Sequence, residues 1–296
     1  MVLPTTYLST LLLLLLSMIC WGSWANTLKL TGPRWRFELF YYDYSLGVLL
    51  AALVAAFTFG TLNTDMTFQD RMLVAGHLKE TYAFLGGVVF NLANMLLVAA
   101  IGLAGMAVAF PVGIGLALII VVIWNYVLSP QGNPLLLFGG LALVVVAIVV
   151  DAMAHRARDI SAGVAGKKKT GFKGIALSLV SGVLMGVFYP LVEKGMGGEF
   201  GLGPYAAAVM FALGVLFSTF FFNIFFMNVP IQGERLKFNK YFRGTPRLHF
   251  LGILGGVVWA IGANTNFVGA SAPAEVKVGP AISLAIGQCA TLISVL

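Results

Sequence analysis

The chain has 296 residues, of which 59% are hydrophobic and only 10% are charged, and its mean hydropathy is +0.95. This composition leaves too little polar surface to coat a water-soluble globule, and it predicts an integral membrane protein. The formal charge of +7 does not indicate a nucleic-acid-binding face, because the basic residues are confined to a few short loops.

A helix that crosses the hydrocarbon of a bilayer needs about 20 apolar residues. That length predicts nine spans, at 6–26, 41–60, 82–103, 105–127, 134–154, 173–194, 203–227, 248–269 and 274–296. The runs are too long for the strands of a membrane barrel. No basic residue precedes the first run and no cleavage site follows it, so it is expected to stay as a span. The connection 61–81 is expected to hold a short amphipathic helix on the membrane surface.

An internal repeat organises these spans. The segment 85–115 returns in altered form 169 positions later, so that Leu85 to Val89 fall on Leu254 to Val258 and Pro111 falls on Pro280. Duplication in a hydrophobic chain is typical of a transporter with its site between the two halves. The second half lacks a counterpart of span five, so a tenth span is expected. Five spans per half is an odd number, and the halves must therefore insert in opposite orientations.

The predicted fold is thus an all-α integral membrane protein, an inverted repeat of five-helix units with ten helices expected and nine present. Residues 1–155 form the first repeat, 156–172 a basic linker, and 173–296 the second repeat without its last helix. Fourteen Lys and Arg residues lie in the connections after spans one, five and seven, against four on the other side. This bias places the N-terminus outside and the central loop in the cytoplasm, and the expected location is a bacterial inner (plasma) membrane.

Four segments carry a family resemblance: CWGSWANT, WRFELFYYDY, GGVVFNLANMLLVAAIGLAGMAVAFPVGIGLAL and GQCATLISVL. They resemble the ureide permease family of the drug/metabolite transporter superfamily, which also holds glucose/ribose porters. The resemblance implies two inverted five-helix repeats. It also implies uptake of a small neutral heterocycle, such as the ureide allantoin or the nucleobase uracil, commonly with protons. A sugar porter of the glucose/ribose type remains the main alternative, and a general metabolite exporter a further one.

The central joint departs from the plant members of that family, which carry a long cytoplasmic segment with a nucleotide-loop-like motif. The nearest match here is GVAGKKKTG, in which Lys168 stands where such a loop needs Ser or Thr. A membrane helix, not a strand, precedes it. We therefore expect no nucleotide and no other cofactor.

Amide side chains inside the spans are candidate substrate ligands. Asn91 and Asn94 lie one turn apart on one face of span three, and Asn264 and Asn266 occupy slightly shifted positions in the paired helix. Their donors and acceptors suit the lactam and urea edges of a ureide or nucleobase. Hydrogen bonding between helices is the alternative. Gln288 in span nine is a further candidate.

Aromatic residues near the inner end of span one are also candidates. Trp21 and Trp24 lie one turn apart and are followed by Asn26, and span six carries Tyr189 in the equivalent stretch. Indole rings can stack on a planar heterocycle and donate an N–H. An interfacial aromatic belt is the alternative for the two tryptophans.

Two prolines are predicted helix breaks. Pro111 and Pro280 lie several residues inside spans four and nine, and each removes a helix hydrogen bond. Such breaks are tolerated at membrane depth where they face protein or a water-filled cavity, so these helices are expected to form the floor of the site. Close helix packing is the alternative.

Proton coupling requires a group whose protonation changes as the carrier cycles, and the carboxylates that could serve all lie near span ends. Glu193 lies at the outer end of span six, and Glu38 and Asp43 lie at the inner end of span two. Glu193 and Glu38 are the coupling candidates. The histidines lie in loops or at helix ends without metal-ligand spacing, so neither an enzyme nor a metal site is expected. The expected partners are a small-molecule substrate, protons and membrane lipid, with a homodimer as the oligomer considered.

Overall fold

The computed structural model describes residues 1–32, 35–62, 66–128, 133–161, 172–231, 233–278 and 286, and this part of the chain is helical without strands. Its α-helices are α1 (Tyr7–Ser23), α2 (Ala25–Thr31), α3 (Phe37–Phe57), α4 (Phe68–Val74), α5 (His77–Ala104), α6 (Met106–Leu128), α7 (Pro134–Ser161), α8 (Phe172–Met196), α9 (Gly203–Asn228) and α10 (Pro246–Ala270). Two 3₁₀ segments follow α9 and α10, at Phe238–Arg243 and Ala274–Val276.

Eight of these helices correspond to the first eight predicted spans. Six segments in the described residues are long and apolar enough to cross a membrane: α1 with α2, then α3, α5, α8, α9 and α10. Helices α6 and α7 contain shorter apolar stretches, Pro111–Trp124 and Pro134–Val150. The chain is therefore an integral membrane protein. Most of the predicted ninth span, with Pro280 and Gln288, lies outside the described residues.

Several boundaries differ from the sequence-based expectation. Helix α7 continues to Ser161, into the segment predicted as the linker, and residues 162–171 lie outside the described residues.

Helix α4 is the short helix predicted within 61–81, and it begins with a capping box between Thr67 and Asp70. The hydrogen bonds of this box lower the pKa of the Asp70 carboxyl below its usual value.

Helix α6 continues through Pro111, and the bend expected there stays a prediction. Pro111 is the sixth residue of this helix, so the ring removes only one bond near the N-terminus. The chain breaks at Gly105, between α5 and α6, where φ is 84°. That conformation favours glycine.

Hydrogen bonds between chain segments define two ends of the bundle. At the end predicted to be outer, the Val2 N–H donates to the Phe59 carbonyl at 2.8 Å, and the Lys79 ammonium donates to the Gly197 carbonyl at 2.6 Å. At the inner end, Arg36 Nη1 donates to the Glu234 carbonyl at 2.6 Å. The bundle thus has one end formed by the start of α1 and another formed by the start of α3.

The third span of each half packs against the other half. Helix α5 packs mainly on α8 and α9, whereas α10 packs mainly on α3 and α1. Glycines allow these approaches: a Cβ added at Gly87 would clash with the Phe211 carbonyl oxygen, and one at Gly256 would clash with the Tyr44 carbonyl oxygen. Gly87 and Gly256 are aligned by the 169-residue repeat. The two crossings are therefore alike.

The partner helices carry a matching glycine at each crossing. A Cβ at Gly214 of α9 would clash with the Phe84 carbonyl, and one at Gly47 of α3 would clash with the Ile253 carbonyl. Both glycines lie in the sequence LGVL, at 46–49 and again 167 positions later at 213–216. Sequence inspection missed this second repeated segment, because only four residues match without interruption.

These crossings predict a large cost for adding a single methyl group. Gly87→Ala and Gly256→Ala each force two backbones apart, so each should lower the free energy of unfolding by about 1–3 kcal/mol. Gly139→Ala is the matched control, since a Cβ there meets nothing within 4 Å. Thermal unfolding in detergent measures all three variants. Equal melting temperatures for the three would contradict the close-crossing interpretation.

Candidate functional site

A cluster of aromatic rings lies where the two halves meet, and we call it the aromatic cage. Its members come from six helices, namely Trp21, Trp24, Tyr41, Tyr44, Phe90, Phe188, Tyr189, Phe211, Trp259 and Phe267. Trp259 is central, with its ring centroid 4.2 Å from Phe90, 5.6 Å from Phe211 and 5.8 Å from Trp21. Phe90 and Trp259 are the residues that the 169-residue repeat aligns, so the equivalent helices meet ring to ring.

Both predicted tryptophans belong to this cage. Trp24 is buried and its ring lies 5.1 Å from that of Tyr44, while Trp21 stacks on Trp259 with an angle of 17° between the rings. Trp21 is only partly buried, and both rings pack on other helices of the bundle. Tyr189 is fully buried between Phe188 and Phe267.

Asn91 fastens α5 to α9. Its Nδ2 lies 2.9 Å from Ser218 Oγ, 3.0 Å from Thr219 Oγ1 and 3.3 Å from the Val215 carbonyl oxygen. The side chain is fully buried, and its Oδ1 has no partner in the described residues. Asn91 thus joins the two helices through hydrogen bonds from its Nδ2, while its Oδ1 remains available as an acceptor inside the bundle.

Asn94 lies one turn further along α5, beside the cage. It is only 2% exposed, and its amide approaches the Tyr44 hydroxyl without the geometry of a hydrogen bond. Within the described residues the hydroxyls of Tyr41, Tyr44 and Tyr189 also lack hydrogen-bond partners. A buried polar group without a partner costs about 1–3 kcal/mol. The interior therefore holds several polar atoms that a polar ligand could satisfy.

The remaining predicted amides have different positions. Asn264 Nδ2 donates to the Ala260 carbonyl of its own helix at 2.8 Å, and the residue lines a cavity at the outer end. Asn266 is fully buried in α10. Asn26 is exposed on α2, whereas the neighbouring Thr27 is buried, and a role for Asn26 in substrate binding stays a prediction.

Two cavities lie at opposite ends of the bundle, and neither is lined by a residue of the cage. The outer cavity has a volume of about 680 Å³ and lies between α1, α3 and α10, with Ser9, Ala51 and Asn264 among its lining residues. The inner cavity has a volume of about 300 Å³ and includes Arg36 and Ala99. Val268 of the outer cavity and Ala99 of the inner one are 169 positions apart. Equivalent parts of α10 and α5 thus line opposite cavities.

The predicted acidic residues lie at both ends of the bundle. Glu38 is completely buried and forms an ion pair with Arg36. Glu193 is half-buried and interacts electrostatically with Lys277 and Tyr189. Asp43 accepts hydrogen bonds from the Tyr241 hydroxyl at 2.6 Å and lies 2.8 Å from His249 Nδ1. Burial, together with the bond to Asp43, raises the pKa of Tyr241 above its usual value. Among the described residues, no group of three metal-ligating side chains occurs.

Sequence reasoning missed part of this site. Tyr44, Phe211 and Trp259 were not selected, because a single aromatic residue in an apolar span carries no signal of its own. Asn223 was also missed, although it is fully buried and neither of its amide atoms has a partner in the described residues. It lies one turn beyond Thr219 on α9. A search for every amide inside a span would have found it.

The comparisons with known proteins point to one family. Residues 40–170 match the sequence profile of the Ureide permease family. The chain is similar to three Arabidopsis thaliana proteins, Ureide permease 2 (30% identity over 149 residues), Ureide permease 3 (27% over 150) and Ureide permease 1 (27% over 146). These matches cover 48–50% of this chain but only 37–44% of the relatives' own length. No solved structure is significantly similar.

The contacts of Asn91 predict a structural role. Asn91→Ala removes the bonds to α9, and it should lower the free energy of unfolding by about 1–3 kcal/mol. Asn228→Ala is the control, since Asn228 is exposed and its Nδ2 donates to the Ile224 carbonyl of its own helix. Thermal unfolding measures both variants. An Asn91→Ala protein as stable as the parent would show that the hydrogen bonds from Asn91 to α9 contribute little to the free energy of unfolding.

Proposed function

We propose that this protein is a secondary transporter that takes up a small neutral heterocycle by alternating access. The observation that carries the proposal is the aromatic cage, in which several buried polar atoms have no hydrogen-bond partner among the described residues. A carrier of this kind exposes one central site to each side of the membrane in turn. In this proposal the cage is that central site.

The inverted repeat is part of this proposal. The two halves exchange equivalent contacts, since α5 meets α9 at the Gly87–Phe211 crossing and α10 meets α3 at the Gly256–Tyr44 crossing. If the two halves have opposite orientations, equivalent segments should line cavities at opposite ends. Val268 and Ala99 are such a pair. Rocking one half about these crossings would close one cavity while it opens the other.

The chemistry of the cage favours a flat, neutral ligand with amide-like edges. Indole and phenyl faces stack on planar rings. Asn91 Oδ1 offers an acceptor and the Tyr44 hydroxyl a donor or acceptor, which match the N–H and C=O groups of a lactam or urea. No charged side chain belongs to the cage. Allantoin and uracil have this chemistry, and the similar proteins are named ureide permeases.

Proton coupling would act through Glu193 or Glu38. Glu193 lies one turn from Tyr189, a cage residue, so a change in its charge reaches the cage directly. Glu38 is already compensated by Arg36, which favours Glu193 as the group that exchanges a proton during transport. The N-terminus would lie outside, with the basic central loop in the cytoplasm. A location in a bacterial inner membrane and a homodimer remain predictions.

Competition for uptake tests the substrate class. Radiolabelled uracil or allantoin should enter proteoliposomes that contain the protein, and unlabelled glucose should not compete. Asn94→Ala should raise the KM about tenfold, as expected for one lost hydrogen bond of about 1.4 kcal/mol. The exposed amide variant Asn228→Ala should leave the KM unchanged. Displacement by glucose, without displacement by either heterocycle, would favour a sugar porter.

A second test concerns coupling. Glu193→Gln should abolish substrate-dependent proton uptake while exchange of labelled for unlabelled substrate continues, because exchange needs no net proton movement. Glu38→Gln serves as the comparison, and it should mainly lower stability, since it leaves the Arg36 guanidinium without its ion pair. A pH-sensitive dye and a tracer measure the two activities on the same vesicles. Proton uptake that persists in Glu193→Gln would exclude Glu193.

A further inference from the structure

A partly buried cluster at the inner end joins the two halves outside the cage. Asp43 on α3 has a side chain that is only 4% exposed, and its two carboxylate oxygens meet Tyr241 and His249. Tyr241 lies in the 3₁₀ segment Phe238–Arg243 and His249 lies on α10, both in the second half. Rocking of the halves must therefore break these contacts whenever the inner end opens.

The packing around the cluster is tight. The His249 ring lies edge-on to Trp35 at 5.4 Å and to Tyr241 at 4.8 Å between centroids. A Cβ added at Gly252 would lie 2.5 Å from Asp43 Cβ, so α10 passes directly over the carboxylate. The His249 side chain is still 26% exposed. Its imidazole can therefore exchange protons with water while Asp43 remains enclosed.

The charge of this cluster depends on one proton. The titratable groups that face Asp43 are Tyr241 and His249, and Tyr42 packs on the ring of Tyr241. With a neutral imidazole, the enclosed carboxylate is one uncompensated negative charge, which burial disfavours. With a protonated imidazole, the pair is neutral and its hydrogen bond is charge-assisted. Histidine is the side chain whose ordinary titration falls in the physiological range.

The outer end lacks this arrangement. An offset of 167 positions aligns Asp43 with Met210, and an offset of 169 positions aligns His249 with Glu80. Glu80 instead lies 3.1 Å from His77, whose side chain is fully exposed. An enclosed carboxylate–imidazole contact between the halves is thus found, among the described residues, at the inner end.

We propose that Asp43, His249 and Tyr241 form a proton-binding site that holds the inner end closed when His249 is protonated. The closed form gains the neutral pair, whereas in an opened form water solvates each group separately. Protonation of the imidazole therefore strengthens the contact that closes the inner end, and a rise in pH shifts the protein toward the opened form. Under the proposed function, on which the meaning of this opening rests, the site lets inner pH control release of substrate.

Spin-label distances test the site without any substrate. The native Cys20 and Cys289 are replaced by serine, and labels are attached at Leu46→Cys on α3 and Lys240→Cys in the 3₁₀ segment, both exposed positions. Pulsed electron resonance on the full chain in nanodiscs then gives the distance distribution at pH 6 and pH 8. If protonation strengthens the closing contact about tenfold, the ratio of separated to closed forms should rise by up to about tenfold between pH 6 and pH 8.

Four variants decide the interpretation. His249→Gln and Asp43→Asn should remove the pH dependence, while His77→Gln, at the exposed histidine of the outer end, should keep it. Tyr241→Phe loses one hydrogen bond, so it should increase the separated form at both pH values and still respond to pH. Thermal unfolding of each variant identifies any that fails to fold, and the parent with the remaining variants still gives the answer.

Distances that do not change with pH in the parent, or a pH response that survives in His249→Gln, would overturn this proposal. Neither result depends on transport. Absence of heterocycle uptake by the parent would instead overturn the proposed function and leave the distance measurement interpretable. The two failures can therefore be told apart.

Discussion

The close approach of helix backbones at two equivalent crossings is the constraint on which the rest of the structure depends. At Gly87 and Gly256 the third span of each half lies so near a helix of the other half that a methyl group cannot be inserted. In lipid there is no strong hydrophobic force between helices, so packing of this kind supplies much of the association. Both crossings bring a central helix to the middle of the bundle.

The cage follows from those crossings. Phe90 is three residues beyond Gly87 and Trp259 is three residues beyond Gly256, so the crossings place both rings together at 4.2 Å. Aromatic side chains then fill the space that the glycines leave between the halves. The result is a closed, largely apolar centre in which a few hydroxyl and amide atoms remain without partners. Such a centre can accept a ligand that has both flat faces and polar edges.

The two halves share their crossings but not their polar groups. The repeat aligns Asn91 with Ala260, and it aligns Ser218 and Thr219 with Ala51 and Ala52. The hydrogen bonds between the Asn91 amide and the two hydroxyls therefore occur in one half alone. Within the part of the chain that the structure describes, the Asp43 contact with His249 likewise has no equivalent at the outer end. Under the proposed alternating access, the equivalent crossings would permit two similar conformations, and the unequal polar contacts would give them different energies. These few side chains would then set the preference for one conformation.

The sequence by itself determined the membrane class, eight helices that the structure describes, the repeat of α5 in α10 and the candidacy of Asn91, Asn94, Trp21 and Trp24. These features depend on local composition, length and internal similarity, which are written along the chain. Only the tertiary structure decided which side chains face one another. It turned Asn26 outward, kept α6 helical through Pro111, and brought Asp43 to His249 across 206 positions. An apolar helix in a bilayer has no strongly polar face to mark its orientation, so contacts between helices must fix it.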